Sequence, residues 1–128
     1  MKPAFLVSGL LVCLAPCAHA QSMSPMRGEV TSYSDEFAVR VYPRNPYTHR
    51  IKATVRAYDQ DFNPIPALVT PSDFWLGAGS ARSVVVVIRF EGKRERRVRI
   101  CTESVPFAGK EMNVRAKVCG RFIARRLS

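Results

Sequence analysis

Arg97-Val-Arg-Ile-Cys101-Thr-Glu103 and, after a short gap, Asn113-Val-Arg-Ala-Lys-Val-Cys119-Gly-Arg-Phe-Ile-Ala-Arg125 decide the fold of this chain. Val98, Ile100, Val114, Ala116, Val118 and Phe122 fall on even numbers, while charges and both cysteines take odd ones. Alternation with a period of two is the signature of strands that bury one face. The two stretches therefore predict an antiparallel pair with one apolar and one basic face. Setting Cys101 opposite Cys119 makes facing residue numbers sum to 220, which puts Lys110 at the loop centre and Glu103 opposite Lys117. The same register sets Arg99 against Arg121, with Arg97 and Arg125 nearby on the same parity. Facing like charges are unfavourable unless an anion lies between them, so Arg99 and Arg121 are candidate ligands of a carboxylate or phosphate.

Outward from this pair, the chain reads as short strands broken by turns. Residues 22–31 are a weakly patterned short edge strand, and Phe37, Val39 and Val41 alternate with Ala38, Arg40 and Tyr42 until Pro43-Arg-Asn-Pro46 stops them. Ile51, Ala53, Val55 and Ala57 mark the clearest strand, closed by the turn residues Asp59-Gln-Asp-Phe-Asn-Pro64. Ile65 to Thr70, broken by Pro66 and followed by Pro71, can only be a short or edge strand. Phe74 and Trp75 are expected to cap the core before Gly77-Ala-Gly79. Val84-Val-Val-Val-Ile88 then predicts a strand buried on both faces, or one whose second face meets a partner. About seven strands with regularly spaced turn signals and no amphipathic helical run give an all-β sandwich.

The first twenty residues stand apart. Lys2, the apolar run from Ala4 to Cys17 and the small-x-small end Ala18-His19-Ala20 describe a signal peptide, so residues 1–20 are expected to be removed and 21–128 to form one domain. Lipidation at Cys17 is the rival reading, with Pro16 a poor match to the small residue such a site needs. Removing Lys2 and no acidic residue takes the net charge from +10 to +9. Export with that excess favours an anionic partner, such as a lipid or envelope polymer or an acidic peptide, and argues against nucleic acid. Export also favours a Cys101–Cys119 disulfide over two thiols. No metal-ligand spacing, cofactor-binding loop or catalytic motif occurs, and His49, with no motif around it, reads as a solvated turn residue. The chain is expected to be non-enzymatic, with no metal or cofactor.

Across residues 24–126 the order of elements resembles the N-terminal immunoglobulin-like domain of the periplasmic pilus-assembly chaperones, the PapD-like family. The likeness lies in the early strand with Arg27, the segment Val69-Thr-Pro71-Ser-Asp-Phe-Trp-Leu76-Gly-Ala-Gly79-Ser, the valine strand, Thr102-Glu-Ser-Val-Pro106, and the final strand ending Gly120-Arg-Phe-Ile-Ala-Arg125. The resemblance implies a single immunoglobulin-like β-sandwich in the periplasm or secreted. Its last strand would lend alternating apolar side chains, here Val114, Ala116 and Val118, to a partner protein such as a pilus-type subunit. It also implies that two basic residues anchor the partner's C-terminal carboxylate, Arg27 being the first and Arg121 the second, where the family usually has lysine. Some members bridge these final strands with a disulfide. Members normally carry a second such domain, and this chain stops at Ser128, so a stand-alone relative is expected. The alternative function is a cationic cell-envelope protein binding anionic lipid or polymer.

Overall fold

Alternating apolar residues carry each long strand into one of two facing sheets. The computed structural model describes residues 22–105 and 115–127. The expected signal segment, the loop around Lys110, and Val114 fall outside the described residues. Nine strands follow in chain order: β1 (Ser22–Ser24), β2 (Arg27–Ser32), β3 (Glu36–Arg44), β4 (Ile51–Asp59), β5 (Leu68–Thr70), β6 (Asp73–Leu76), β7 (Val84–Arg89), β8 (Glu95–Val105) and β9 (Ala116–Arg126). One sheet has the order β1-β3-β7-β5 and the other β2-β9-β8-β4-β6. The all-β, immunoglobulin-like sandwich anticipated above is the observed architecture.

Nine strands arise where about seven were expected because the early edge strand divides and one further strand forms. β1 pairs with β3 in one sheet, the chain passes Pro25 and Met26, and β2 joins β9 in the other. The extra strand is β6, antiparallel to β4, with Phe74 and Leu76 buried and Asp73 and Trp75 outside. Trp75 is therefore not a core cap: strand alternation turns it out, 53% exposed, with the Arg50 guanidinium 4.3 Å from its ring centroid. Phe74 is in the core as expected.

The core lies between the sheets. Phe37, Val39 and Val41 of β3 and Val84, Val86 and Ile88 of β7 face Ile51, Ala53 and Val55 of β4, Val98 and Ile100 of β8, and Phe122 and Ala124 of β9. Each buried valine, isoleucine or phenylalanine contributes about 1.5–3 kcal/mol relative to exposure. The valine strand is buried on this side only, since Val85 and Val87 are half-buried on the outer face beside β3 and β5. Among the buried polar residues, Asn45 is fully enclosed, its amide donating to the carbonyls of His49, Leu76 and Gly77 while its Oδ1 accepts from the Tyr47 amide. That network ties the turn after β3 to the end of β6.

Candidate functional site

β9 organises the site because it is paired unevenly. Along one side it pairs antiparallel with β8 from Ala116 to Arg125. Along the other, β2 runs parallel to it and reaches only from Arg121 to Arg126. Residues 116–120 thus present a sheet edge with no strand beside it among the described residues. Unpaired backbone groups of this kind accept a strand from another chain.

The register anticipated from the cysteines holds throughout the β8–β9 ladder. Cys101 faces Cys119 in a disulfide with 4.0 Å between Cα atoms. Glu103 faces Lys117, with Nζ and Oε1 3.6 Å apart. Arg99 faces Arg121. The parallel ladder adds Arg27 opposite Arg121, so the three arginines singled out by sequence stand in one row across β2, β9 and β8.

All three line an open groove of about 490 Å³, together with Gly28, Glu29, Gln60, Arg97, Val98, Phe122 and Ile123. Four arginines against the single acid Glu29 leave the lining at a formal +3. Neighbouring cations are already matched: Arg125 Nη1 lies 3.3 Å from Glu29, Arg126 lies 3.0 Å from Asp35, and Arg97 Nε lies 3.2 Å from Glu95. No acidic partner of Arg27, Arg99 or Arg121 occurs among the described residues. The row therefore concentrates unneutralised, fork-shaped donors where the free edge of β9 ends.

Arg99 is held differently from the other two. Its Nε donates to the Gln60 carbonyl at 3.0 Å and its guanidinium carbon sits 4.2 Å from the Phe62 ring centroid. Phe62 occupies the left-handed region at φ 63°, in a turn fixed by Asp59, whose Oδ1 accepts from the amides of Asp61 and Asn63. Those bonds, led by the one from the Asn63 amide, hold the Asp59 carboxyl below its ordinary 3.8. Lys117 Nζ completes the cluster, 4.5 Å from the Tyr58 ring, and the Tyr58 hydroxyl donates to Glu103. Sequence reading missed Gln60 and Phe62, because it took residues 59–64 only as a turn. Nothing local shows that this turn reaches β8, thirty-nine residues on from Gln60.

His49 is exposed and stacks near Tyr47, and no group of three potential metal ligands occurs among the described residues. The described site offers charge, shape and a strand edge.

No known family profile and no characterised protein sequence matches the chain. Solved structures do. The Salmonella enterica SafA pilin–SafB chaperone complex matches with a TM-score of 0.69 at 20% identity, covering 88% of this chain and 57% of that one. The E. coli chaperone DraB gives 0.67 at 20% identity, with 84% and 55% covered. PapD-like domain 7 of human CEP192 gives 0.63 at 13% identity over 98% and 99%. The chain spans a little over half the length of these chaperone chains and nearly all of the human domain. Its fold is PapD-like.

Proposed function

We propose that this PapD-like domain is an exported, non-enzymatic binding protein that acts as a chaperone-like partner, adding a strand of another protein to the free edge of β9 and holding that strand's C-terminal carboxylate with Arg27 and Arg121. The observation that carries the reading is the position of this arginine pair at the junction between the free edge and β2. A strand placed beside residues 116–120 in line with β2 would lie parallel to β9 and end against Arg27 and Arg121. Run the other way, it would bring a positive N-terminus to the same arginines. Charge thus selects the parallel direction, and a carboxylate receives two forks. Ala116 and Val118, half-buried beside that edge, would supply the small apolar side chains to a partner. The chaperones of known structure support this reading by fold, and one of them is in complex with a pilin. Two arginines and one edge at a single point favour a discrete peptide over diffuse attraction to anionic lipid or polymer.

Hydrogen exchange tests the proposal directly. An extended peptide of alternating valine and threonine with a free C-terminus should slow amide exchange at residues 116–120, and Arg121→Glu should abolish the effect. Unchanged exchange in the wild-type chain at saturating peptide would sink the strand-addition reading. Binding by Arg121→Glu equal to wild type would remove the anchor.

A further inference from the structure

Two arginines are enough for one carboxylate, and the groove holds more. Arg27, Arg121 and Arg99 form a single row, and Arg99 has no acid opposite it among the described residues. Its stack on Phe62 and its bond to Gln60 involve the ring-facing side and Nε, leaving both Nη groups without a hydrogen-bond partner among the described residues. The seat is costly to build. An aromatic residue at φ 63° is in a region that side chains rarely adopt, and the Asp59 carboxylate holds the turn there. Strain of this kind persists where the surroundings over-determine it, and it gathers at ligand clamps. Here it fixes the position of one guanidinium at the side of an anion-binding groove.

We infer that the groove reads two carboxylates on one residue: the bound peptide ends in aspartate or glutamate, its terminal carboxylate between Arg27 and Arg121 and its side-chain carboxylate on Arg99. This rests on the terminal-carboxylate reading above and adds the identity of the last residue. Neighbouring strands lie about 4.8 Å apart, so Arg121 and Arg99 are rooted one strand spacing from each other on the same row, within reach of the two carboxylates of a single acidic residue. Charge agrees: a terminal aspartate or glutamate brings two negative charges to a lining of formal +3. An apolar terminal residue would match Arg121 with its terminal carboxylate and leave Arg99 with no counter-charge of its own.

The test is a titration of the chain with four versions of the alternating valine–threonine peptide, ending in glutamate or alanine, each as free acid or amide, at physiological ionic strength. The glutamate acid should bind roughly tenfold tighter than the alanine acid, the increment of one charge-assisted pair. Arg99→Gln should erase that increment, the glutamate acid falling to the level of the alanine acid in the same variant, whereas Arg121→Gln should weaken both acids. An advantage of acid over amide with no gain from glutamate overturns this inference and leaves the clamp standing. Equal gain from glutamate in the acid and amide series, with the two series binding alike, overturns the clamp and this inference together. The wild-type comparison alone decides these outcomes if Arg99→Gln fails to fold.

Discussion

The Phe62 ring carries the Arg99 guanidinium 4.2 Å above its centroid while its own backbone sits at φ 63°. Ring and backbone pull in opposite directions. A left-handed conformation costs a residue with a side chain on the order of 1–2 kcal/mol, and an exposed cation–π contact returns about 0.5–1 kcal/mol. Phe62→Ala loses the ring and keeps the strain, whereas Phe62→Gly loses the ring and relieves it. Glycine should therefore be the more stable variant by about 1 kcal/mol in urea denaturation, the reverse of the usual order of these two residues in strands and helices. An alanine variant equal to or above the glycine variant would show that the turn relaxes when the ring is removed. Both variants should lose the glutamate-dependent part of peptide affinity.

The Cys101–Cys119 bridge closes a segment with a sequence separation of 18 between the two strands that hold Arg99 and Arg121. Loop closure of this length stabilises a fold by on the order of 3 kcal/mol, mainly by restricting the unfolded chain. The neighbouring Glu103–Lys117 pair is partly exposed and adds only a few tenths to about 1 kcal/mol. Reductant should lower the denaturation midpoint of the wild-type chain markedly and leave that of the Cys101→Ala/Cys119→Ala double variant where it is. A wild-type midpoint indifferent to reductant would mean that the bridge contributes no stability.

The register of the last two strands was legible in the sequence because a disulfide and a period of two jointly over-determine it: once Cys101 faces Cys119, every partner from Glu95 to Ser104 follows. The same arithmetic singled out Arg121 as a candidate site residue and its position opposite Arg99. Arg27 came only through the family resemblance, since the parallel pairing of β2 with β9 joins residues far apart in sequence and leaves no local pattern. β6 was hidden for a different reason. Four residues show too little alternation to separate a strand from a turn, and Trp75 was placed inside because large apolar residues usually are. The seat of Arg99 was the least legible part, because it depends on the conformation of Phe62 and the reach of one turn onto a distant strand.

Acid should loosen that turn. Asp59 and Asp73 both have carboxyl groups below their ordinary 3.8, Asp59 chiefly through the Asn63 amide and Asp73 chiefly through the Thr54 hydroxyl. A depressed folded-state value means that the stabilisation is fully present above the unfolded value and is lost as pH falls through 3.8 towards the lower folded value. Asp59→Asn keeps an acceptor oxygen for the Asp61 and Asn63 amides but cannot titrate. Its midpoint should fall less steeply than that of the wild type as pH falls through 3.8 and below. Superimposable slopes would show that protonation of Asp59 is not felt by the fold.

Gly120 closes the free edge of β9, and its lack of a side chain is a packing requirement. A Cβ there would stand 2.8 Å from Phe122 Cε2 and 3.1 Å from Met23 Cε. Phe122 and Met23 are both buried, so neither has open space to swing into. Overpacking of this sort costs about 1–3 kcal/mol, more than the 0.5–1 kcal/mol that alanine gains over glycine in a strand. Gly120→Ala should therefore destabilise the chain. Gly28→Ala, whose Cβ would meet Phe122 Cδ1 at 3.1 Å, should cost less. Trimming the obstructing ring is the decisive control: in a Phe122→Leu background the penalty of Gly120→Ala should shrink, giving a favourable coupling energy in a double-mutant cycle. Strictly additive effects would place the cost in the backbone, and the glycine would then matter for the conformation of the edge beside Arg121 instead of for the ring beneath it.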